Sequence, residues 1–220
     1  MTPSDFILAN TAPITPPLVP EVRLHLAVEA MALWRKTEED LQAMGVPPPY
    51  WAFAWAGGQA LARYILDSPE TVRDKSVLDF GAGSGLVAIA AAKAGARSVL
   101  AADIDAYAAA AIALNAQANN VVLRVTTDDM LGSQAPYDVI LCGDVCYEKP
   151  LAEALLAWLA ASRAQVLLGD PGRSYFPKSD VEQIALYRVQ TTRELEDREI
   201  RETGVYLLQR RALSRGGKNG

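Results

Sequence analysis

An acidic residue and a tyrosine stand directly after an apolar run in the segment ILCGDVCYEKP. Asp144 follows this run, and Tyr147 comes three residues later. A carboxylate can hold an ammonium group, and a tyrosine can contribute a hydroxyl or an aromatic wall beside a cation. The alternative is structural, because an aspartate here also suits a helix N-cap or a loop and a tyrosine also suits packing. Topology alone does not choose between the two interpretations.

The segment VLDFGAGSGLVAIAAA carries three glycines between a short apolar run and an alanine-rich run. Gly81, Gly83 and Gly85 let the backbone turn sharply and approach a ligand where a Cβ atom would collide. The helix expected directly after them adds free N–H donors and a positive dipole end. Asp103 ends the next apolar run, where a carboxylate can accept hydrogen bonds from both ribose hydroxyls. This combination predicts a nucleoside-containing cofactor.

The spacing of the glycine loop separates two kinds of cofactor. A dinucleotide fingerprint needs glycine or alanine at the position that Leu86 occupies. Asp79, just before the loop, would face a pyrophosphate unfavourably but could balance a cation. S-adenosylmethionine has no phosphate and carries a sulfonium and an amino group. The acidic loop therefore favours S-adenosylmethionine over NAD.

Composition limits the other classes of function. The chain has 220 residues, half of them apolar, and a net charge of −5, which indicates one domain with a sizeable core. The absence of a Lys/Arg cluster argues against a large nucleic-acid interface, so no nucleic-acid partner is expected. The only histidine, His25, lies upstream of the glycine loop, so we expect no His-rich metal site and no Ser-His-Asp triad.

The sequence also predicts a cellular compartment. Cys142 and Cys146 are the only cysteines and offer no disulfide framework, which favours a reducing environment. No apolar run approaches the ~20 residues of a transmembrane helix. The first residues show neither the pattern of a secretory signal nor that of a transit peptide. We therefore predict a cytoplasmic protein without a membrane partner.

Apolar runs and helical patterns alternate through the middle of the chain. Strands are predicted over 76–80, 98–103, 121–127, 137–142 and 164–170, and helices over 59–66, 86–94, 106–119 and 151–162. Such alternation is typical of an α/β fold, with a parallel sheet and helices on both faces. A helix is predicted over 181–187, and the two runs after it favour a C-terminal antiparallel hairpin.

The ends of the chain differ from its middle. Residues 1–20 contain five prolines and predict an extended arm without a compact element. Residues 21–44 show helical spacing, although Val22, Leu24 and Leu26 alternate as in a short strand. We therefore predict an N-terminal arm and helical extension over 1–49, the α/β domain over 50–212, and a disordered tail over 213–220.

LDFGAGSG, followed by AADID and a hairpin ending, resembles the class I, seven-stranded S-adenosylmethionine-dependent methyltransferases over roughly residues 50–210. The resemblance implies a Rossmann-like, mostly parallel seven-stranded sheet. It also implies a set of cofactor-binding residues, and for some of them it implies which part of the cofactor they contact. The methionine part would lie near Gly81 and Gly83, the ribose near Asp103, and the adenine near Ile104. Asp79 and Ala82 belong to the same cofactor-binding set.

The same resemblance implies that an acid of TTDDML meets the adenine amino group. Asp129 is the preferred acid, and Asp128 stays open. Met130 and Gly143 complete the implied cofactor set. Trp55, beside two glycines in PYWAFAWAGGQ, is interpreted as a lid on the cofactor side, whereas Trp51 and Phe53 are interpreted as packing residues.

The motif Asp144-Val-Cys-Tyr147 matches the D-x-x-Y pattern that follows the fourth strand in a group of protein lysine methyltransferases. Together with PYWAFAWAGGQALARYIL, AADIDAYAAAAIALNA and LLGDPGRSYFP, it makes most of the chain resemble the electron transfer flavoprotein β-subunit lysine methyltransferases. The resemblance implies catalytic roles for Asp144 and Tyr147. It further implies the flavoprotein β-subunit as protein substrate and a ribosomal stalk protein as a second target.

We therefore predict a protein-lysine N-methyltransferase that needs no metal, because methyl transfer depends mainly on positioning. Two alternatives stay open: a small-molecule or other-residue methyltransferase on the same fold, and a non-catalytic interaction module. Gly81, Gly83 and Asp103 count against the module. Asp170, Pro171 and Arg173 either border the substrate channel or form a rigid turn.

Overall fold

The computed structural model describes residues 2–28, 48–134, 136–191 and 199–209. Its α-helices are α1 (Pro3–Asn10), α2 (Ala56–Asp67), α3 (Leu86–Lys93), α4 (Ala106–Ala118) and α5 (Lys149–Ala161). Its strands are β1 (Ala12–Ile14), β2 (Leu24–Leu26), β3 (Ser76–Phe80), β4 (Ser98–Ala102), β5 (Arg124–Thr126), β6 (Val139–Gly143), β7 (Gln165–Asp170), β8 (Val181–Gln190) and β9 (Ile200–Leu208). Most of the predicted helical segment 21–44 and the predicted tail 213–220 lie outside the described residues.

The central sheet contains seven strands within the described ranges, in the order β5-β4-β3-β6-β7-β9-β8. Strands β3 to β7 run parallel to one another. Strand β9 pairs antiparallel with both β7 and β8. The predicted α/β class, with a mostly parallel sheet and a C-terminal antiparallel hairpin, is confirmed.

Helices cover both faces of this sheet. Ile89 of α3 and Ile112 of α4 belong to a core that includes Val77 of β3. Leu155 of α5 belongs to a second core that includes Leu78, the next residue of β3. The two neighbours point to opposite faces because side chains alternate along a pleated strand. The sheet is therefore buried on both sides, which explains the nearly continuous apolar character of its central strands.

The prediction of an arm without a compact element over 1–20 is wrong. Residues Pro3–Asn10 form α1, with Pro3 in the first turn, where the missing N–H removes no helical hydrogen bond. The Thr2 hydroxyl accepts from the Asp5 N–H, and the Asp5 carboxylate accepts from the Thr2 N–H, which completes a capping box. Ile7 is fully buried in a cluster with Trp51, which precedes α2. Local capping and this contact outweigh the proline-rich composition.

The predicted helix over 181–187 is also wrong, because these residues begin the ten-residue strand β8. The apolar positions Val181, Ile184 and Ala185 have a helical spacing. In the structure the register against β9 shifts between Gln183 and Ala185, as at a β-bulge. An extra residue in a strand changes the phase of its alternation and leaves a spacing that imitates a helix.

Candidate active site

The carboxyl ends of the parallel strands form the edge of the sheet at which the predicted site residues gather. The glycine loop follows β3, Asp103 follows β4, Asp129 follows β5 and Asp144 follows β6, while Asp170 is the last residue of β7. Ligands in open α/β sheets bind beyond this edge. The topology thus brings together acids that are far apart in the sequence.

A cavity of about 630 Å³ opens at this edge. Its lining contains eight of the predicted site residues: Trp55, Gly81, Gly83, Asp103, Ile104, Asp129, Met130 and Tyr147. Asp128 lines it as well, so both acids of TTDDML face the same space. Ile104 is 75% exposed, which leaves its side chain available for contact with a flat apolar group.

A smaller recess of about 40 Å³ adjoins the large cavity. It is lined by the remaining predicted cofactor residues, Asp79, Ala82 and Gly143. Trp55, Gly81 and Gly83 line both spaces. The large cavity suits a nucleoside and the small recess suits a short polar branch, so the lining residues fit S-adenosylmethionine.

The glycine loop and Asp103 are fixed to each other by backbone hydrogen bonds. Gly81 and Gly83 have φ angles of 65° and 52°, in the left-handed region where a side chain is strained. The N–H of Gly83 donates to Asp103 Oδ2 at 2.8 Å, and the N–H of Asp105 donates to Oδ1 at 3.1 Å. Each carboxylate oxygen keeps further acceptor capacity. Asp103 is thus oriented to accept hydrogen bonds from a pair of ligand hydroxyls.

Asp79 is a buried acid beside the smaller recess, with 1% of its surface exposed. Its Oδ2 accepts from the N–H of Ala88 in α3 at 2.8 Å. Burial raises the pKa of Asp79 to about 8, and the charge of Asp103 acts in the same direction. A ligand cation in the recess would favour the ionised carboxylate, so Asp79 fits the amino group of the expected cofactor.

Asp144 is buried and paired on both carboxylate oxygens. Oδ2 accepts from the N–H of Gly57 at 2.8 Å, and Oδ1 accepts from Nε of Arg173 at 2.5 Å. Arg173 lines the large cavity, whereas the Asp144 carboxylate to which it donates does not. Asp144 is not the N-cap of α5, since that position belongs to Glu148. The carboxylate predicted to hold an ammonium group holds a guanidinium in this structure.

Aromatic rings form a wall beside this ion pair. The ring centroids of Tyr50 and Tyr147 lie 5.4 Å apart, and those of Tyr50 and Trp55 lie 6.0 Å apart. The guanidinium carbon of Arg173 lies 5.9 Å from the centroid of the Trp55 ring, within the range of a cation–π contact. Burial raises the pKa of Tyr147 to about 12, so its hydroxyl stays neutral at physiological pH.

The sequence alone gives no definite site role to two residues of this region, one in the aromatic wall and one beside it. Tyr50 was missed, although an aromatic residue after three prolines and before Trp51 was a usable signal. For Arg173, the sequence allows either a position at the substrate channel or a rigid turn. Its pairing with Asp144 joins positions 29 residues apart and depends on the sheet order. Trp51 and Phe53, for which packing roles are predicted, are 2% and 4% exposed, but Trp51 also lines the large cavity and Phe53 the smaller recess.

Helix α2 approaches the end of β7 through two glycines. A Cβ atom on Gly57 would lie 2.2 Å from the carbonyl oxygen of Gly169, and one on Gly169 would lie 2.1 Å from the carbonyl oxygen of Gly57. Real side chains cannot tolerate such distances. This approach brings the Gly57 N–H to Asp144 and therefore positions the acid.

Three further observations concern the described part of the chain. It contains no group of three or more His, Cys, Asp or Glu side chains arranged to hold a metal ion. None of its helices has the length and apolarity needed to cross a membrane. Cys142 and Cys146 are both buried and both free thiols.

Comparisons with known proteins agree with this fold. A family model described as "Ribosomal protein L11 methyltransferase (PrmA)" matches residues 60–147. The crystal structure of a magnesium protoporphyrin IX methyltransferase from Synechocystis, with bound S-adenosylmethionine, has a TM-score of 0.53. That likeness covers 68% of this chain and 77% of that chain at 17% identity, and so concerns the fold. The fold and the site define a class I S-adenosylmethionine-dependent methyltransferase.

Two relatives specify the family. The electron transfer flavoprotein beta subunit lysine methyltransferase of Xenopus laevis is 43% identical over 185 residues, covering 81% of this chain and 74% of the relative. The protein of the same name from Danio rerio is 42% identical over 184 residues, covering 80% and 70%. The chain belongs to the electron transfer flavoprotein β-subunit lysine methyltransferase family, and it is an S-adenosylmethionine-dependent protein-lysine methyltransferase.

Proposed function

We propose that this protein methylates a lysine side chain of the electron transfer flavoprotein β-subunit. The observation that carries the proposal is a buried carboxylate, Asp144, beside an aromatic wall at the cofactor cavity. An acid next to aromatic rings is suited to a lysine ammonium group. The names of the relatives from Xenopus laevis and Danio rerio support the choice of substrate.

The residues proposed to hold the cofactor divide between the two adjoining spaces. In the smaller recess, Asp79 balances the amino group of the methionine part, with Ala82 and Gly143 beside it. In the larger cavity, Asp103 accepts hydrogen bonds from the ribose hydroxyls, and Ile104 contacts the adenine. When bound, S-adenosylmethionine supplies an electrophilic methyl group on its sulfonium.

The adenine end of the cavity carries the remaining proposed contacts. Asp129 accepts from the adenine amino group, and Met130 packs against the ring. Asp128 is the alternative acceptor, because it lines the same cavity. A carboxylate is the suitable partner in either case, since an exocyclic amino group is a hydrogen-bond donor.

The protein contributes positioning to the chemistry. A lysine amine with an ordinary pKa of ≈ 10.4 must lose its proton before it can attack a methyl group. We assign to Asp144 the task of holding the incoming ammonium group, and to Tyr147 and Trp55 the task of aligning the alkyl chain and excluding bulk water. The proton leaves the lysine Nζ to a water molecule. Alignment of this kind can supply much of the rate enhancement.

The other predicted partner and the predicted location are separate proposals. The match to the ribosomal protein L11 methyltransferase family spans residues 60–147, which contain the cofactor loop, and therefore does not favour a ribosomal substrate. The ribosomal stalk protein stays a prediction. Cytoplasmic location is supported by the free thiols of Cys142 and Cys146, which suit a reducing compartment.

The proposal is tested by incubating the purified protein with methyl-labelled S-adenosylmethionine and purified electron transfer flavoprotein. We expect label on the β-subunit, and acid hydrolysis should recover it as methyl-lysine. Cofactor binding without labelled lysine would favour the small-molecule or other-residue alternative. Absence of cofactor binding would favour a non-catalytic module.

A further inference from the structure

Asp170, at the end of β7, is a buried acid with an unused acceptor. It is 2% exposed. Its Oδ1 accepts from the backbone N–H groups of Gly172 and Arg173, both at 2.7 Å. Its buried Oδ2 has no hydrogen-bond partner among the described residues. Buried carboxylate oxygens are nearly always hydrogen-bonded, so an unpaired one calls for a physical reason.

Arg173 occupies a position that suits a substrate cation. Its guanidinium donates to Asp144, lies over the Trp55 ring and lines the large cavity. An anion and an aromatic face are the two groups that recognise an ammonium ion. If a lysine is the substrate, as proposed above, its ammonium group and the Arg173 guanidinium compete for the same carboxylate.

The charges around Asp144 point to a second partner for Arg173. Two cations sharing one buried carboxylate would repel each other, whereas two cations with one carboxylate each form a balanced group. Burial and the charge of Asp144 raise the pKa of Asp170 to about 6, and the nearby charge of Arg173 opposes this rise by favouring the ionised carboxylate. The Arg173 backbone is bonded to Asp170, which keeps the two residues adjacent. The unpaired Oδ2 can therefore serve as the alternative acceptor.

Resting on the proposed function, we propose that Arg173 and Asp170 are positioning residues that exchange partners when substrate binds. The guanidinium leaves Asp144 for Oδ2 of Asp170, and the lysine ammonium takes its place on Asp144. Before substrate arrives, Arg173 keeps the buried Asp144 paired. A side chain without a positive charge cannot displace it, so the exchange also selects for a cationic side chain.

A double-mutant cycle tests the exchange. Asp170→Asn keeps a side-chain oxygen for the backbone N–H groups of Gly172 and Arg173, so the turn is preserved while the charge is lost. We expect the KM for the flavoprotein to rise about tenfold, as for loss of one charge-assisted hydrogen bond, with a far smaller change in kcat. In the Arg173→Gln background the same substitution should leave the KM unchanged, because no guanidinium needs a new partner.

Two further readouts separate this exchange from a structural role. The Kd of the flavoprotein, measured with S-adenosylhomocysteine present, should follow the KM. Arg173→Gln alone should leave the KM equal to or below that of the wild type, which provides a test independent of Asp170→Asn. The exchange is overturned if Asp170→Asn has the same effect in both backgrounds, or if Arg173→Gln alone raises the KM. Failure of the wild type to methylate the flavoprotein would instead overturn the proposed function.

Discussion

Asp144 is held in place by contacts from α2, from β7 and from the loop that follows β7. Its backbone N–H donates to the Gly169 carbonyl at 2.8 Å, and its carboxylate accepts from Gly57 and Arg173. Its φ angle of 63° is uncommon for a residue with a side chain and carries a conformational cost. Surroundings that enforce such a conformation are typical of sites where a side chain must be aimed, which suits the role proposed for Asp144.

Asp144→Asn is expected to abolish most methylation while leaving the cofactor affinity unchanged. The amide keeps an oxygen for the Gly57 N–H but loses the charge that holds an ammonium group. Misalignment of the reacting amine should lower kcat/KM on the order of 100-fold. The measurement is methyl transfer to the flavoprotein, together with calorimetric titration of S-adenosylhomocysteine.

Asp138→Asn is the matched control, because Asp138 also pairs with an arginine but precedes β6, at the opposite edge of the sheet. It accepts from Arg97 at 3.0 Å, and its side chain is 49% exposed. Turnover should stay close to that of the wild type in this variant. Near-normal turnover in Asp144→Asn would show that Asp144 has only a structural role.

At the level of elements, the contact between α2 and β7 positions the acid. Gly57→Ala places a Cβ atom 2.2 Å from the Gly169 oxygen, so α2 must shift away from the sheet. We expect a loss of about 1–3 kcal/mol in the free energy of unfolding, as for other overpacked sites. Chemical denaturation measures this loss directly.

The adjacent Gly58 provides the comparison within the same helix. A Cβ atom there would meet only the Val87 side chain, at 3.9 Å. Gly58→Ala should raise the free energy of unfolding by up to about 1 kcal/mol, because alanine favours the helix. Equal stability losses in the two variants would contradict the close approach of α2 to β7.

Much of the fold could be predicted because buried parallel strands and amphipathic helices leave local patterns. The glycine loop and Asp103 were placed correctly at one edge of the sheet, since strand ends converge there. The bulge in β8 and the capping of α1 could not be predicted, because each depends on a few contacts that average composition does not record. The pairing of Asp144 with Arg173 could not be predicted either, because it is a tertiary contact between two loops.

At the level of the whole molecule, Asp79 links stability to pH. In the unfolded chain this carboxyl has its ordinary pKa of 3.8, whereas burial raises its pKa to about 8 in the folded chain. Between these values unfolding releases a proton, so the contribution of Asp79 to stability is lost as pH rises. Asp103 and Asp170, whose pKa values are also raised by burial, act in the same direction.

Asp79→Asn should therefore weaken this pH dependence in the cofactor-free protein. The amide keeps an acceptor for the Ala88 N–H and has no charge to desolvate. We expect the stability of the variant relative to the wild type to increase steadily from about pH 4 to about pH 8. Urea denaturation at several pH values measures the difference, and a constant difference across this range would contradict a buried, protonated Asp79.

The central claim is that this site delivers a methyl group to a lysine of the electron transfer flavoprotein β-subunit. The most direct measurement is peptide mass spectrometry of the purified flavoprotein after incubation with S-adenosylmethionine and either the wild type or Asp144→Asn. We predict methylated lysine in the β-subunit with the wild type and at most trace methylation with the variant. An unmethylated β-subunit, in the presence of a wild-type protein that binds S-adenosylhomocysteine, would contradict the account.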